Sequence, residues 1–529
     1  MRRVFQKLPS ARWCVIAAAV LSFSVIVASS APTPGDGVPG AFAAPPMAFR
    51  FGQENSWIRV QNIGESPATV IVTYYDEAGR QAGQDVCPST VCPALGPGQG
   101  WTFFQEGNPR LPAGYQGSAV VESDQAIVAL QAKDVRRNGA FMIDGSTTSI
   151  AAGSYRMYLP LLANRDGAQQ DSQGRFVVQN LGAETACVTI TYLSNYTDGE
   201  VYWDPYKPGK KGAAKQPGCS KGGRPIPPHG SLFRDPDTFG VGAGFTGSVR
   251  IETHDTNAGI DAEDQVLLAT ADYWNTLYNL FSSYRALDQN DLSTTVYLPL
   301  IDREVGPFNG FSTRFQIENK DPDKAAQVTL SIQGFDLDHG GAYVTKQNTV
   351  TVQGARLCFQ DRDDFANCLA AGDALPRNFV GTARLTSTQP IGVIVTRSSR
   401  FGDPFTNYRG FAPGYAATRV LLPVLNKNYG PYQGHAGWNS WFRVLVADGG
   451  SANVRIRYFG LDLPGGEQSY TRAANREFTV FQFDEAFLPN GFAGTAIIES
   501  DRPIVVLGNI YTDVFAGDTD LLYNGIPLP

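Results

Sequence analysis

The chain has 529 residues, of which 43 % are hydrophobic and 18 % are charged, and its formal net charge is −7. This composition excludes a disordered chain, and the length predicts roughly three to four domains instead of one core. The 56 glycines and 34 prolines favour many turns over long helices, so we predict a turn-rich β protein.

The first 30 residues have the pattern of a secretory signal peptide. A basic leader precedes an apolar run from Cys14 to Ala28, and small residues offer cleavage after Ser30 or as late as Ala43. The alternative is an uncleaved membrane anchor, but the run is shorter than the roughly 20 residues that cross a bilayer. We therefore expect a secreted or cell-surface protein with no membrane span after cleavage.

Three phrases recur along the rest of the chain, always in the same order. The first opens three of the four units and begins at Tyr158 (YLPLLAN), Tyr297 (YLPLIDR) and Leu421 (LLPVLNK). The second is a strand phrase such as GRFVVQNLGAETACVTITY, and its copies begin at Ser56, Gly174, Thr313 and Trp441. The third is an aromatic residue with a glycine two positions later: Tyr115 and Gly117, Phe245 and Gly247, Phe379 and Gly381, Phe492 and Gly494. Such self-similarity predicts four tandem copies of one domain.

Each copy has the periodicity of a β-sandwich. Apolar residues alternate along the strand phrases with a period of two, and Asn-x-Gly clusters between them suit hairpins. We predict an all-β fold: four tandem antiparallel, immunoglobulin-like sandwiches after an N-terminal signal helix. The predicted domains are residues 47–145, 155–284, 295–401 and 418–529, and short linkers between them would produce a rod or shallow arc. The repeated aromatic ring would plug one end of each core, and the glycine would let the next strand pass closely.

Cysteines follow this division. Cys14 leaves with the leader, and the other six fall in pairs within the first three copies: Cys87 with Cys92, Cys187 with Cys219, and Cys358 with Cys368. Even numbers within each repeat, together with export, predict three local disulfides. A zinc site is the alternative, but no histidine lies near the first pair.

No motif for catalysis or cofactor binding is present. The four histidines do not recur at equivalent positions, and the nucleophile-elbow, P-loop, dinucleotide and HExxH motifs are absent. Acidic residues recur in the ESD phrase: Glu122, Asp124, Glu499 and Asp501. A carboxylate pair suggests glycosidase chemistry, but the third copy has threonines there, so a charged turn or strand edge is favoured. We expect no enzyme and no cofactor. Loop calcium stays open at three acidic clusters, residues 321–323, 361–364 and 518–520.

Aromatic residues give the best hint of a binding function. We predict ligand contacts at Trp203, Tyr206 and Tyr432, because exposed Trp and Tyr rings stack on sugars or anchor protein interfaces. Trp57 and Trp441 begin the same strand phrase and are expected in the core. Once the leader is removed, the run at residues 207–215 is the basic segment that remains. Its composition is that of a solvated loop, so we do not expect a nucleic-acid partner.

The phrases YLPLL and GFAGTAIIESDRPI resemble repeats of secreted and surface proteins of Chloroflexota-type bacteria. The order of Asn-x-Gly, Tyr and Pro-Gly is also similar to bacterial cell-adhesion-related domains of immunoglobulin-like fold. The resemblance implies an extracellular array and assigns no functional residue. We expect a structural or adhesive protein whose partners are cell-envelope or matrix components, or further copies of itself. A carbohydrate-binding surface protein and a secreted hydrolase with an inter-domain site are the alternatives.

Overall fold

The structure is a computed structural model, and it describes residues 25–28, 52–148, 153–166, 172–194, 200–204, 219, 223–256, 258–306, 310–358, 368–369, 373–399, 405–460, 463 and 466–528. Within these ranges, the regular structure consists of strands and three single turns of 3-10 helix, Ala262–Asp264, Pro413–Tyr415 and Gln482–Asp484. The predicted all-β class is confirmed. The predicted signal helix lies outside the described residues except at Val25–Ala28, which form a strand and not a helix. Within the described part of the chain, no helix has the length and apolar character that a membrane span requires.

The strands divide among the four repeats. The first repeat contains β1 (Val25–Ala28), β2 (Gln53–Asn62), β3 (Val70–Asp76), β4 (Gln81–Cys87), β5 (Gly100–Phe104), β6 (Gly117–Ser123), β7 (Ile127–Arg137) and β8 (Ala140–Thr148). The second contains β9 (Arg156–Asn164), β10 (Ser172–Asn180), β11 (Ala186–Ser194), β12 (Glu200–Asp204), β13 (Arg224–Ile226), β14 (Ser231–Arg234), β15 (Phe245–His254), β16 (Leu267–Asn275) and β17 (Leu280–Arg285). The third contains β18 (Ser293–Arg303), β19 (Phe311–Asn319), β20 (Ala326–Asp336), β21 (Ala342–Val352), β22 (Ala355–Cys358), β23 (Phe379–Ser399) and β24 (Phe405–Arg409). The fourth contains β25 (Ala417–Lys427), β26 (Trp438–Val446), β27 (Ser451–Phe459), β28 (Glu467–Asn475), β29 (Glu477–Phe481), β30 (Phe492–Thr512), β31 (Asp520–Asn524) and β32 (Ile526–Pro527).

All four repeats follow one pairing plan. The first repeat has the strand orders β1-β6-β3-β4 and β5-β2-β7-β8, and the second has β9-β15-β11-β12 and β14-β10-β16-β17. In the third repeat, the 21-residue strand β23 takes part in both strand orders, so the two sheets are continuous. In the fourth repeat, the 21-residue strand β30 does the same. The predicted end of the third repeat at residue 401 is wrong. β24 lies beyond it, in the segment predicted as a linker, yet it pairs with β23 and buries Phe405 and Tyr408.

The aromatic-glycine pair has the packing role that the sequence predicts. The rings of Tyr115, Phe245, Phe379 and Phe492 are all buried. Each ring folds back over its own glycine, and a Cβ added at Gly494 would lie 2.5 Å from the Phe492 ring and 2.2 Å from the Phe459 carbonyl oxygen. Since real Cβ atoms do not approach backbone so closely, this position accepts only glycine.

We expect Gly494→Ala to lower the free energy of unfolding by about 2 kcal/mol, because the added methyl group must displace either the ring or the neighbouring strand. Urea denaturation measures the change. The matched control is Gly414→Ala, since a Cβ there meets nothing within 4 Å. Equal effects of the two substitutions would contradict the packing role.

The repeats form a closed ring and not the rod or arc that the sequence suggested. Consecutive repeats touch, and the fourth also contacts the first. One apolar cluster joins Leu130 and Ile143 of the first repeat to the core of the fourth, and Gln61 Nε2 donates to Thr495 Oγ1 at 2.9 Å across the same boundary. A linear array would leave these two repeats apart, so the predicted rod is wrong.

The edge strands β8, β17, β24 and β31, one from each repeat, meet at the centre of the ring. Asp518 of the fourth repeat accepts hydrogen bonds there from the backbone N–H groups of Phe281 and Phe405, and its carbonyl oxygen accepts from the N–H of Ile143. One residue therefore links all four repeats. The acidic residues at 518–520, which suggested loop calcium, accept hydrogen bonds from these donors and from neighbouring side chains.

A buried group of four charges joins the first two repeats. Asp272 Oδ1 lies 2.8 Å from Lys133 Nζ, and Asp272 Oδ2 lies 2.8 Å from Arg175 Nε. Arg175 also pairs with Glu54. Burial alone would raise the pKa of Asp272, but the two cations hold it below its ordinary value. The group is charge-balanced and almost fully buried, so it is suited to fixing one repeat against the other.

Glu318 is buried where the second and third repeats meet, and neither of its carboxylate oxygens has a partner among the described residues. Burial raises its pKa to about 8, against the attraction of Arg250. Because the folded-state pKa lies above the unfolded value, the stability that the neutral form supports is complete below about pH 4.5. It is then lost as the pH rises through 8.

Between pH 6 and 8 we expect wild type to lose about 2 kcal/mol of unfolding free energy relative to Glu318→Gln, whose amide does not titrate. Urea denaturation at several pH values gives the difference between the two proteins. Parallel pH profiles would show that Glu318 is ionised in the folded state and would contradict the assignment.

Two of the predicted cysteine pairs are disulfides in the structure, Cys87–Cys92 and Cys187–Cys219. Cys368 is disulfide-bonded as well, while the side chain of its predicted partner Cys358 lies outside the described residues. The bonds close local loops within single repeats, which is the arrangement that the spacing predicts.

Candidate functional site

A cleft of about 510 Å³ opens between the third and fourth repeats. The third repeat contributes residues from β18, β19 and β23, and the fourth contributes residues from β26, β29, β30 and β31. Four aromatic rings lie in its lining: Phe311, Trp441, Phe481 and Tyr511. The size suits a small ligand, and pockets of this composition at domain boundaries are common binding sites.

Arg397 of β23 organises the third-repeat side of the cleft. Its guanidinium lies 3.7 Å from the centre of the Phe311 ring and 5.7 Å from that of Trp441, so it joins aromatic residues of both repeats. Its Nε donates to Asp302 Oδ2 at 2.7 Å, and its Nη1 lies 3.3 Å from Asp520 Oδ2. Burial raises the pKa of Asp520, which Arg397 opposes.

The fourth-repeat side follows from strand register. Trp441 of β26 lies opposite Phe481 of β29, and paired residues place their side chains on the same face of a sheet. Arg443, two residues along β26, donates through Nε to the carbonyl oxygen of Pro299 at 2.6 Å and through Nη1 to Thr479 Oγ1 at 2.9 Å. This arginine therefore fixes the floor of the cleft against the third repeat.

The charged groups of the cleft are paired, and one carboxylate oxygen has no partner among the described residues. Arg397 contacts both Asp302 and Asp520. Arg443 is paired instead with Glu477, whose Oε1 lies 3.0 Å from its Nη2, so the three carboxylates exceed the two guanidinium groups by one charge. Asp302 is only 1 % exposed, and its Oδ1 has no hydrogen-bond partner among the described residues. A buried carboxylate oxygen without a donor is costly, and a donor that reached it from the cleft would satisfy it.

The predicted ligand contacts are not part of this cleft as described. Tyr432 is 52 % exposed in the hairpin between Tyr429 and Trp438, and it does not line the cleft. Trp203 lies in β12 opposite Thr191, but its side chain and the whole of Tyr206 are outside the described residues. Trp441, expected in the core, is partly buried and lines the cleft.

The two aspartates of the ESD phrase have a backbone role, whereas Glu499 pairs with arginine side chains. Asp124 Oδ1 accepts from the Thr69 N–H at 2.8 Å, and Asp501 Oδ1 accepts from the Asn453 N–H at 2.9 Å. In the third copy, the Thr388 hydroxyl accepts from the N–H of Gln327, the equivalent position. A threonine can replace the acid because only one acceptor is needed, which explains the exchange that the sequence shows.

Comparison with family models and with curated proteins finds no match for this chain. A function can therefore be inferred only from the geometry of the cleft and of the repeats around it.

Sequence reasoning missed Phe311, Arg397 and Asp302 because each lies in an ordinary strand phrase. A signal was present at Arg397. Arg397 lies opposite Thr313, near the start of the strand phrase. In the other repeats, the residues that lie opposite the equivalent position are Lys133, Tyr273 and Ile510. Four unlike residues at one repeated position indicate a contact particular to each boundary.

Proposed function

We propose that the protein is a secreted or cell-surface adhesive protein, built from four immunoglobulin-like modules, that acts by binding and not by catalysis. The observation that carries this proposal is the aromatic cleft between the third and fourth repeats. The disulfides support an oxidising compartment. The four buried charges between the first and second repeats are occupied with one another, which supports a rigid scaffold.

The cleft favours a neutral glycan as the ligand that adhesion would use. Trp441 and Phe481 offer apolar faces on which the C–H face of a sugar ring can stack. Asp302 Oδ1 offers an acceptor for a sugar hydroxyl. An anionic ligand would find both guanidinium groups already paired with carboxylates, whereas a purely apolar ligand would leave that carboxylate oxygen without a donor.

A glycan array with the exported protein tests this proposal. We expect a neutral glycan to be retained, and we expect Phe481→Ala to weaken its binding about tenfold by removing a stacking face. Phe481 is 46 % exposed, so its loss leaves the core intact. The matched control is Phe483→Ala, an exposed ring two residues away that does not line the cleft.

Equal binding by the two variants, or an array without hits, would contradict a glycan ligand in the cleft. The broader adhesive function has a separate test. Beads coated with the exported protein should attach to the producing cells or to one another, and beads that do neither would contradict it.

Glycoside hydrolysis is a second candidate, because Asp302 and Asp520 both contact Arg397 in one cleft and burial raises the pKa of Asp520. A carboxylate pair of this kind serves as acid and nucleophile or base in glycosidases. The engagement of both carboxylates by one guanidinium favours a structural role instead. New reducing ends from a bound glycan, lost in Asp520→Asn while binding persists, would establish hydrolysis and overturn the non-catalytic proposal.

A further inference from the structure

The first strand of a repeat has a fixed place in the three later repeats. β9, β18 and β25 each run antiparallel to the strand that follows the aromatic-glycine pair. The register is the same each time: Leu159 lies opposite Val249, Leu298 opposite Ala383, and Leu422 opposite Ala496. These leucines precede the proline of the Leu-Pro phrase, so the phrase encodes this strand.

The first repeat lacks the phrase, and its equivalent edge is covered differently. Among the described residues, the outer edge of β6 pairs with β1, which runs parallel and not antiparallel. Val25 lies opposite Ala119, the position that a Leu-Pro leucine occupies in the other repeats. β1 belongs to the apolar run of the predicted leader, and cleavage after Ser30 or Ala43 would separate it from the repeat.

Loss of β1 would uncover the backbone of β6. The outer N–H and C=O groups of β6 would have no partner along Ala119–Glu122, the residues that pair with β1. Unpaired edges of this kind accept a further strand from another chain.

Contacts with the second repeat hold the β6 edge of the first repeat in position, even when no first strand covers it. Ser118 Oγ donates to the His229 carbonyl oxygen at 3.3 Å, and the Ser231 N–H donates to the Glu77 carbonyl oxygen at 3.1 Å. The rings of Tyr75 and His229 stack with centroids 4.8 Å apart. With the charges around Asp272, these contacts hold the two repeats together, so the edge would stay preformed after cleavage.

We propose that leader cleavage opens the β6 edge of the first repeat as an acceptor for a strand from a partner protein. The strand that fits is antiparallel and apolar with a Leu-Pro-Leu or Leu-Pro-Val pattern, and its first leucine lies opposite Ala119. The chain itself shows this chemistry three times, and β1 is the placeholder in the precursor. This interaction is separate from the cleft.

A peptide with the sequence of residues 156–164, RMYLPLLAN, is the probe. It is added to the exported protein, whose N-terminus is determined by mass spectrometry, and to the unprocessed full chain. We expect one peptide to bind per processed chain and to raise its melting temperature. We expect the unprocessed chain to bind about tenfold more weakly, because β1 covers the edge. The control peptide carries Leu159→Asp and should also bind about tenfold more weakly, since it would bury an unpaired carboxylate.

Several results would overturn the proposal. They are no binding to the processed chain, equal binding of the two peptides, equal binding by the two chains, or an exported protein that retains Val25–Ala28. Oligomers of the processed chain that the peptide dissociates would assign the strand to a second copy and overturn the partner named here.

Discussion

Asp272→Ala should lower the free energy of unfolding by about 3–5 kcal/mol. The substitution leaves Lys133 and Arg175 without their shared carboxylate, and their side chains are only 2 % and 8 % exposed. Burial already lowers the pKa of Lys133, and loss of Asp272 would lower it further. Arg175 keeps its pair with Glu54, but Lys133 would be a buried cation without a contacting carboxylate, beside a second cation that repels it. Equilibrium urea denaturation measures the loss.

The control is Asp237→Ala in the same repeat, because Asp237 pairs with Arg165 at the surface, where both side chains are about one third or more exposed. An exposed pair contributes about 1 kcal/mol or less. A loss at Asp272 no larger than at Asp237 would show that the four charges do not hold the first two repeats together.

Asp144→Ala should destabilise the protein by about 4 kcal/mol, because it orphans donors from three repeats at the centre of the ring. The carboxylate accepts from Ser282 Oγ at 2.6 Å, from the Ser283 N–H at 3.0 Å and from the Gly145 N–H at 2.8 Å. Longer contacts reach Thr406 Oγ1 at 3.3 Å and the Asn407 N–H at 3.4 Å. Burial raises the pKa of Asp144 well above its ordinary value, against these hydrogen bonds.

The readout for Asp144 combines urea denaturation with hydrogen exchange. We expect the backbone N–H of Ser283 to exchange faster in Asp144→Ala, since it loses its acceptor. Asp124→Ala is the control, because that exposed acid accepts one backbone hydrogen bond within a single repeat, and about 1 kcal/mol is expected there. Unchanged exchange at Ser283 would mean that Asp144 does not join the repeats.

The interior of each repeat could be predicted from the sequence because its determinants recur. The ring of Phe492 over Gly494, the acceptor at Asp124 or Thr388, and the local disulfides all lie in phrases that the chain repeats. Repetition separates these residues from their neighbours, and short-range rules for strands and turns then assign their roles. The strand β24 was missed because its phrase FTNYR lies between two turn signals, Gly-Asp-Pro at residues 402–404 and Gly410.

The ring and the cleft could not be predicted in this way. The residues that join one repeat to the next differ at each boundary: Lys133, Tyr273, Arg397 and Ile510 share one repeated position but have unlike side chains. Their partners are distant in sequence, as with Arg397 and Asp520. A contact of this kind leaves no periodic pattern, so a repeated sequence is equally compatible with a rod.

Small-angle X-ray scattering of the exported protein tests ring closure most directly. A chain of this length folded into one closed body should have a radius of gyration of about 25 Å. Four modules of about 120 residues placed end to end would give about 40 Å. Contact between the first and fourth repeats predicts a radius of gyration of about 25 Å, and a radius of about 40 Å would contradict it.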